Sequence, residues 1–326
     1  MNLTKKDNLA KATKKVKTAK KITKRQQSSK ESLILPKAPQ GFNKILSLQG
    51  LWYFFVVMLI IAIFILLIYL FSIVENKINY KDFVNALLIG MFAQAIDGAI
   101  GMAYGLTAST FLISQGITPA IASGSIHIAE IFTTGASGLS HWRLKNVNSK
   151  LFLNLVFPGI IGGLIGVSIL ANIDGNLIKP WISLYLALMG IYIILKSIKK
   201  NLLIKLNNKK VTPLAFCGGL IDAVGGGGWG PIVTSTLVSR GHDPKKTIGS
   251  VNSAEFFITI STGISFALFL GISHPEIIAG LVLGGVTIAP FAAKITTKLP
   301  TKFLMLLVGL LIISLSAINL YKFFYR

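Results

Sequence analysis

The sequence predicts an all-α polytopic membrane protein: two inverted repeats, each a re-entrant, Gly-broken hairpin plus three transmembrane helices, preceded by one extra N-terminal transmembrane helix. Three observations predict it. Of 326 residues, 52% are hydrophobic and 13% charged, with a mean hydropathy of +0.68, whereas a soluble domain is about a quarter charged. The stretch from Asp97 to Gly138 recurs as Asp222 to Gly263, at a constant offset of 125 residues and without a gap. The basic residues fall in the tail and between the apolar runs, never inside one.

In chain order, residues 1–50 hold 13 of the 33 Lys and Arg and little that could form an apolar face. They are expected to be a disordered cytoplasmic tail, able to touch anionic lipid at roughly 1 kcal/mol per basic residue. No small-residue cleavage site follows the first apolar run, which argues against a cleaved signal. Residues 51–74 are apolar throughout, long enough to cross a ~30 Å hydrocarbon core, and lie outside the duplication. The first repeat, 83–195, opens with a short apolar segment, Phe83 to Ile96. The break Asp97-Gly98-Ala99-Ile100-Gly101 ends it, and a second short segment runs to Ser114. Pro119 to Leu139, Leu151 to Ala171 and Pro180 to Leu195 are long enough to cross. After a basic connector, 196–211, the second repeat, 212–321, follows the same plan around a break from Asp222 to Gly230. The later helices align best with Gly162-Gly163 set against Gly284-Gly285, an offset of 122.

Charge selects the topology. If each Asp-Gly break is the tip of a hairpin that enters and leaves by one face, 28 of the 33 basic residues lie on the side of the tail, as the positive-inside rule expects. If each broken segment crossed fully, the cluster from Lys196 to Lys210 would be thrown outside. The hairpin reading makes the second repeat an inverted copy of the first and brings the two tips together at mid-depth. That is the architecture of a secondary transporter, here expected in the cell membrane with a cytoplasmic N-terminus.

Backbone that leaves a helix inside a membrane survives only within protein or facing a wet cavity. Glycines permit the turn and close approach to a ligand, and the helix that follows presents free N–H groups to an anion. Gly98, Gly101, Gly105, Gly226, Gly228 and Gly230 are therefore candidate substrate-binding positions, joined by the hydroxyls of Ser125 and Ser250 and by Asn252. Asp97 and Asp222 either cap the half-helices or touch the ligand. Glu130 and Glu255 lie inside apolar helices, where capping is no explanation. Burial disfavours the ionised form, so both are candidate proton carriers. Two ionised glutamates would repel an anion, and a protonated one would not, so proton and anion binding are expected to be coupled. His127 stands one turn before Glu130, with Asn252 at the matching place before Glu255. It either relays a proton and orients Glu130 or is a histidine satisfied in a polar interior.

Other classes are excluded or lack support. The single Cys217, expected to be a small buried residue, excludes an internal disulfide and a thiolate metal site. No metal or other cofactor is expected, since one His-x-x-Glu pair is too few ligands. The run Gly225 to Gly228 lacks the Gly-Lys-Ser/Thr of a phosphate loop. The placement of the net charge of +22 between apolar runs argues against nucleic acid. No nucleophile with a base appears, so an enzyme is not expected.

The duplicated Asp-Gly-x-x-Gly break, the Pro followed by a Gly-Ser helix start and the two related halves resemble the TauE/SafE family, the sulfite exporter or toluene sulfonate uptake permease group. The likeness covers about residues 83–321. It implies transport of small sulfur-containing anions or organosulfonates such as sulfite, thiosulfate or sulfoacetate. The expected partners are that anion, protons and the lipid bilayer. An anion channel using the same hairpins is the alternative.

Overall fold

The computed structural model describes residues 79–198, 210–295 and 301–325. The expected tail, the 51–74 helix and most of the 196–211 connector lie outside the described residues. Helices account for nearly all of the rest, and no strand occurs among the described residues. Helix α1, Tyr80–Ile100, starts where the Asn79 side chain accepts the backbone N–H groups of Lys81 and Asp82. It runs through Asp97 and Gly98, four residues beyond the expected end, because the first residue that needs a left-handed backbone is Gly101, at φ 76°. Helix α2, Tyr104–Ser114, follows at once. Then come α3, Pro119–Arg143, α4, Ser149–Ala171, and α5, Gly175–Ile198. The second half begins with α6, Val211–Gly225, stopped by Gly226 at φ 65°. A π-helical turn, Gly230–Thr234, leads into α7, Ser235–Ser239. Helices α8, Pro244–Leu270, α9, Pro275–Ile295, and α10, Thr301–Phe324, complete it.

The helices pair across the halves: α1 lies along α9, α6 along α4, α3 along α8 and α5 along α10. Glycines set the register, because small residues let helix backbones approach closely. A Cβ on Gly280 would strike Phe83 and Leu87, and one on Gly284 would strike Leu87 and Met91, so α1 and α9 run in the same direction. Gly162 meets Phe216 and Leu220 while Gly166 meets Leu220 and Ala223, so α4 and α6 also run together. Helices α3 and α8 are antiparallel, with Gly124 against Phe266 and Gly135 against Phe256.

These contacts correct one alignment. Gly285 packs on Thr133 and Tyr104, while Gly159 packs on Ile258 and Trp229. Each pair of partners is 125 residues apart, so Gly159, not Gly163, is the equivalent of Gly285, and the offset there is 126 rather than 122. The Gly-Gly pairs had matched one turn out of register, since glycine recurs at several neighbouring turns of both helices.

Among the described residues, four helices, Ser149–Ala171, Gly175–Ile198, Pro244–Leu270 and Lys302–Tyr325, are long and apolar enough to cross a membrane. Their outer faces carry Leu153, Phe157, Ile161, Leu164 and Ile165 on α4 and Phe303, Leu306, Leu307 and Leu310 on α10. Apolar stripes of this extent suit lipid rather than water, as expected of a multi-pass membrane protein. Cys217 is also exposed on α6, contrary to expectation. The inward face of that helix is taken by Gly218 and Gly219, which admit Trp229 and Gly159.

Candidate functional site

The two helix breaks touch each other. A Cβ on Gly105 would come within 2.7 Å of the Gly227 Cα and 2.8 Å of the Gly226 carbonyl, and one on Gly230 within 3.0 Å of the Met102 Cβ. Each break is held by its aspartate in the same way. The Asp97 backbone carbonyl receives the Gly101 N–H, and its side-chain Oδ1 accepts the Tyr104 N–H at 3.3 Å. Asp222 does the same, with the Gly226 N–H on its carbonyl and the Trp229 N–H on Oδ1 at 2.9 Å. One oxygen of each aspartate thus serves the start of the next helix, across the break.

Three carbonyls of the second break find side-chain donors, as buried backbone favours. Ser123 donates to Ala223 O at 2.6 Å, Ser109 to Gly225 O at 3.0 Å and Tyr185 to Gly227 O at 2.7 Å. Gly225 and Gly228 lie against the Tyr185 ring and hydroxyl, leaving no room for a Cβ. Ser123 and Tyr185 were not marked by the duplication, for Ser123 matches Ile248 and Tyr185 lies outside the motif, whereas Ser109 matches the hydroxyl residue Thr234. The available signal was a polar group in an otherwise apolar helix.

Beside the breaks lies a buried polar cluster. His127, Glu130 and Asp222 are 0%, 4% and 2% exposed, and each offers one donor atom within 4.8 Å of the others. The His127 Nδ1 lies 2.8 Å from the Ser123 carbonyl. A carbonyl only accepts, so Nδ1 carries the hydrogen and a neutral ring would present a bare Nε2. That Nε2 faces Asp222 Oδ2 at 3.3 Å, without hydrogen-bond alignment. His127 Nε2, Glu130 Oε2 and Asp222 Oδ2 are all buried with no hydrogen-bond partner. Each orphaned polar atom costs about 1–3 kcal/mol, so the cluster is built to take something up. Carboxylates sharing a desolvated site cannot all stay ionised unless a cation joins them; the trio can hold a proton or a metal ion.

The other candidates are distributed around this centre. Gly105 adjoins Glu130, 3.2 Å from its Oε1 to the position of a Cβ, and Gly226 adjoins Ser109. Gly98 is inside α1, and Gly230 packs on Met102. Asn252 donates to the Ser137 hydroxyl at 2.8 Å. Ser250 is engaged at one end of the bundle, accepting the Asn148 N–H at 2.8 Å. Ser125 lines a cleft at the other end.

An apolar helical bundle with paired broken helices and buried ionisable groups at their junction defines a class: a multi-pass membrane protein with a polar centre. The chain belongs to the sulfite exporter TauE/SafE family, whose model matches residues 86–320. It is 40% identical over 248 residues to "Probable membrane transporter protein YtnM" of Bacillus subtilis (strain 168), covering 73% of this chain and 82% of that one. From the same organism, "Probable membrane transporter protein YjnA" is 26% identical over 244 residues, covering 68% and 94%. "Probable membrane transporter protein YunE" is 20% identical over 268 residues, covering 74% and 98%. No solved structure gives a significant match.

Proposed function

We propose that the protein is a secondary active transporter of small sulfur-containing anions or organosulfonates, of the sulfite, thiosulfate and sulfoacetate class, coupled to protons. Two inverted repeats would hold the anion at mid-depth between their broken-helix hairpins. Support for the inversion comes from the packing directions, since α3 and its counterpart α8 run antiparallel. The family membership supports the sulfur-anion cargo. The observation that carries the reading is the buried trio of His127, Glu130 and Asp222 with three orphaned polar atoms, next to the touching breaks.

In this mechanism Glu130, Glu255 and His127 take up protons, which removes the charge that would repel an anion. Gly98, Gly101, Gly105, Gly226, Gly228 and Gly230 bring backbone close to the anion, and Ser125, Ser250 and Asn252 contribute polar contacts during the cycle. Asp97 and Asp222 hold the breaks in shape. The protein works in the cell membrane with its N-terminus in the cytoplasm, the side on which Arg143, Lys145, Arg240, Lys245 and Lys246 then lie.

Flux in proteoliposomes tests this directly. Sulfite, thiosulfate, sulfoacetate and taurine are offered with and without a pH gradient, with sulfate and chloride as controls. Saturable uptake of a sulfur anion driven by the gradient supports the proposal. Non-saturating chloride current, indifferent to pH, would instead indicate a channel.

A further inference from the structure

The duplication makes the two ends of the bundle directly comparable, and they differ. Asn148 precedes α4 and His274 precedes α9, equivalent positions at the offset of 126. Facing them are Ser250 on α8 and Ser125 on α3. At the basic end the segment is fastened down: the Asn148 N–H donates to the Ser250 hydroxyl at 2.8 Å, and the Lys246 ammonium reaches the Lys145 carbonyl. Asn146, 5% exposed, lies on Gly249 so closely that a Cβ there would be 2.5 Å from its carbonyl oxygen. At the opposite end, Ser125 and His274 instead line a narrow open cleft. Ser273 lies at the rim and Phe266 in the wall. Phe266 is 1% exposed, packs on Gly124, and its ring lies 5.6 Å from that of His127. A single aromatic layer therefore separates the cleft from the buried cluster.

We infer that the cleft between Ser125 and His274 is an access site for a small organic anion on its way to the central cluster. The Asn148–Ser250 contact is the matching access site, latched shut. This rests on the transporter reading above. The walls suit such a ligand: the hydroxyls of Ser125 and Ser273 and the His274 imidazole, itself held by Glu276 at 3.2 Å, stand beside Ile121, Ile128 and Leu270. An oxyanion head with a short carbon chain matches that mixture. When the cycle reverses, Ser125 takes the contact that Ser250 makes here and Ser250 is released.

Cysteine accessibility in the full-length protein tests the inference without requiring the cargo. In a Cys217→Ala background reconstituted in liposomes, Ser125→Cys, Ser273→Cys, Ser250→Cys and Asn148→Cys are treated with a membrane-impermeant methanethiosulfonate from each side. Ser125→Cys and Ser273→Cys are expected to react from one side, and Ser250→Cys at least about tenfold more slowly from either, since a latched segment must first open locally. Adding Lys246→Ala, which removes the ammonium that reaches the Lys145 carbonyl, to Ser250→Cys is expected to raise its reactivity. Sulfoacetate is expected to slow labelling of Ser125→Cys. Equal reactivity at Ser125→Cys and Ser250→Cys, or no slowing by any of the sulfur anions that the liposomes transport, would overturn it. If no sulfur anion is transported while the labelling asymmetry holds, the cargo reading fails and the one-sided access stands.

Discussion

The break at Asp97 and the break at Asp222 are the same device put to unequal use. Both helices end on a left-handed glycine, and both aspartates cap the helix seven residues on. The neighbours then diverge. Where the second break has Gly227 and Gly228, the first has Met102 and Ala103, and Ala103 is held at φ 94°, a conformation costly for anything but glycine. His127 reaches from the first half to Asp222, whereas Asn252, at its matching position, turns aside to Ser137. Duplication thus supplied a symmetric frame, and the ionisable chemistry collected on one side of it, at Asp222.

Substitutions at equivalent positions can break or sharpen that contrast. The largest effect is expected at the aspartates. Asp222→Ala removes the cap that accepts the Trp229 N–H at 2.9 Å and is expected to cost about 2 kcal/mol, against about 1 kcal/mol for Asp97→Ala, whose bond to the Tyr104 N–H is 3.3 Å. Denaturant unfolding in detergent measures both, and equal losses would erase the asymmetry. Next comes Glu130→Gln, expected to fold normally and to lose at least about tenfold of gradient-driven uptake together with its dependence on pH. With the wild-type carboxyl, protonation admits the anion, so anion binding strengthens as pH falls; a Glu130→Gln protein whose binding still follows pH would remove the proton role. Glu255→Gln, at a less buried site, is expected to do less in the same assay.

His127→Asn gives the first half the residue of the second. It is expected to leave the melting temperature within a few degrees, a change of about 1 kcal/mol, and to shift the pH at which anion binding is half-maximal. The smallest effect is expected for Ala103→Gly, which relieves the left-handed strain and stabilises by about 1 kcal/mol. Gly226→Ala is the opposite change: φ 65° and the Ser109 hydroxyl 2.7 Å from the new methyl group make it destabilising. If both changes had the same sign, backbone conformation would not be what distinguishes the breaks.

Much of this was legible because it is local or repeated. Asp97 and Asp222 could be read as caps or as ligand contacts, since a short acceptor before a helix start serves either use, and in the structure each caps the helix that follows. Glu130 and His127 stood out as ionisable groups on one face of an apolar helix, and the structure buries both beside Asp222. Tyr185, Ser109 and Ser123 were not legible, because their partners are carbonyls in another helix and nothing in the chain marks which carbonyl lies opposite. The alignment of the later helices failed for a related reason. Several glycines one turn apart give several plausible registers, and only their contacts choose among them.

The sequence by itself determined an apolar helical chain, two matched halves, a glycine break with an aspartate in each, and acids placed where water is excluded. These follow from composition and from spacing along the chain. Tertiary structure alone decided that His127 would meet Asp222, that the breaks would touch at Gly105 and Gly227, and that Ser250 would be latched while Ser125 borders an open cleft. Those outcomes depend on close packing between helices about a hundred residues apart or more, where a shift of one turn, about 5.4 Å, changes every partner.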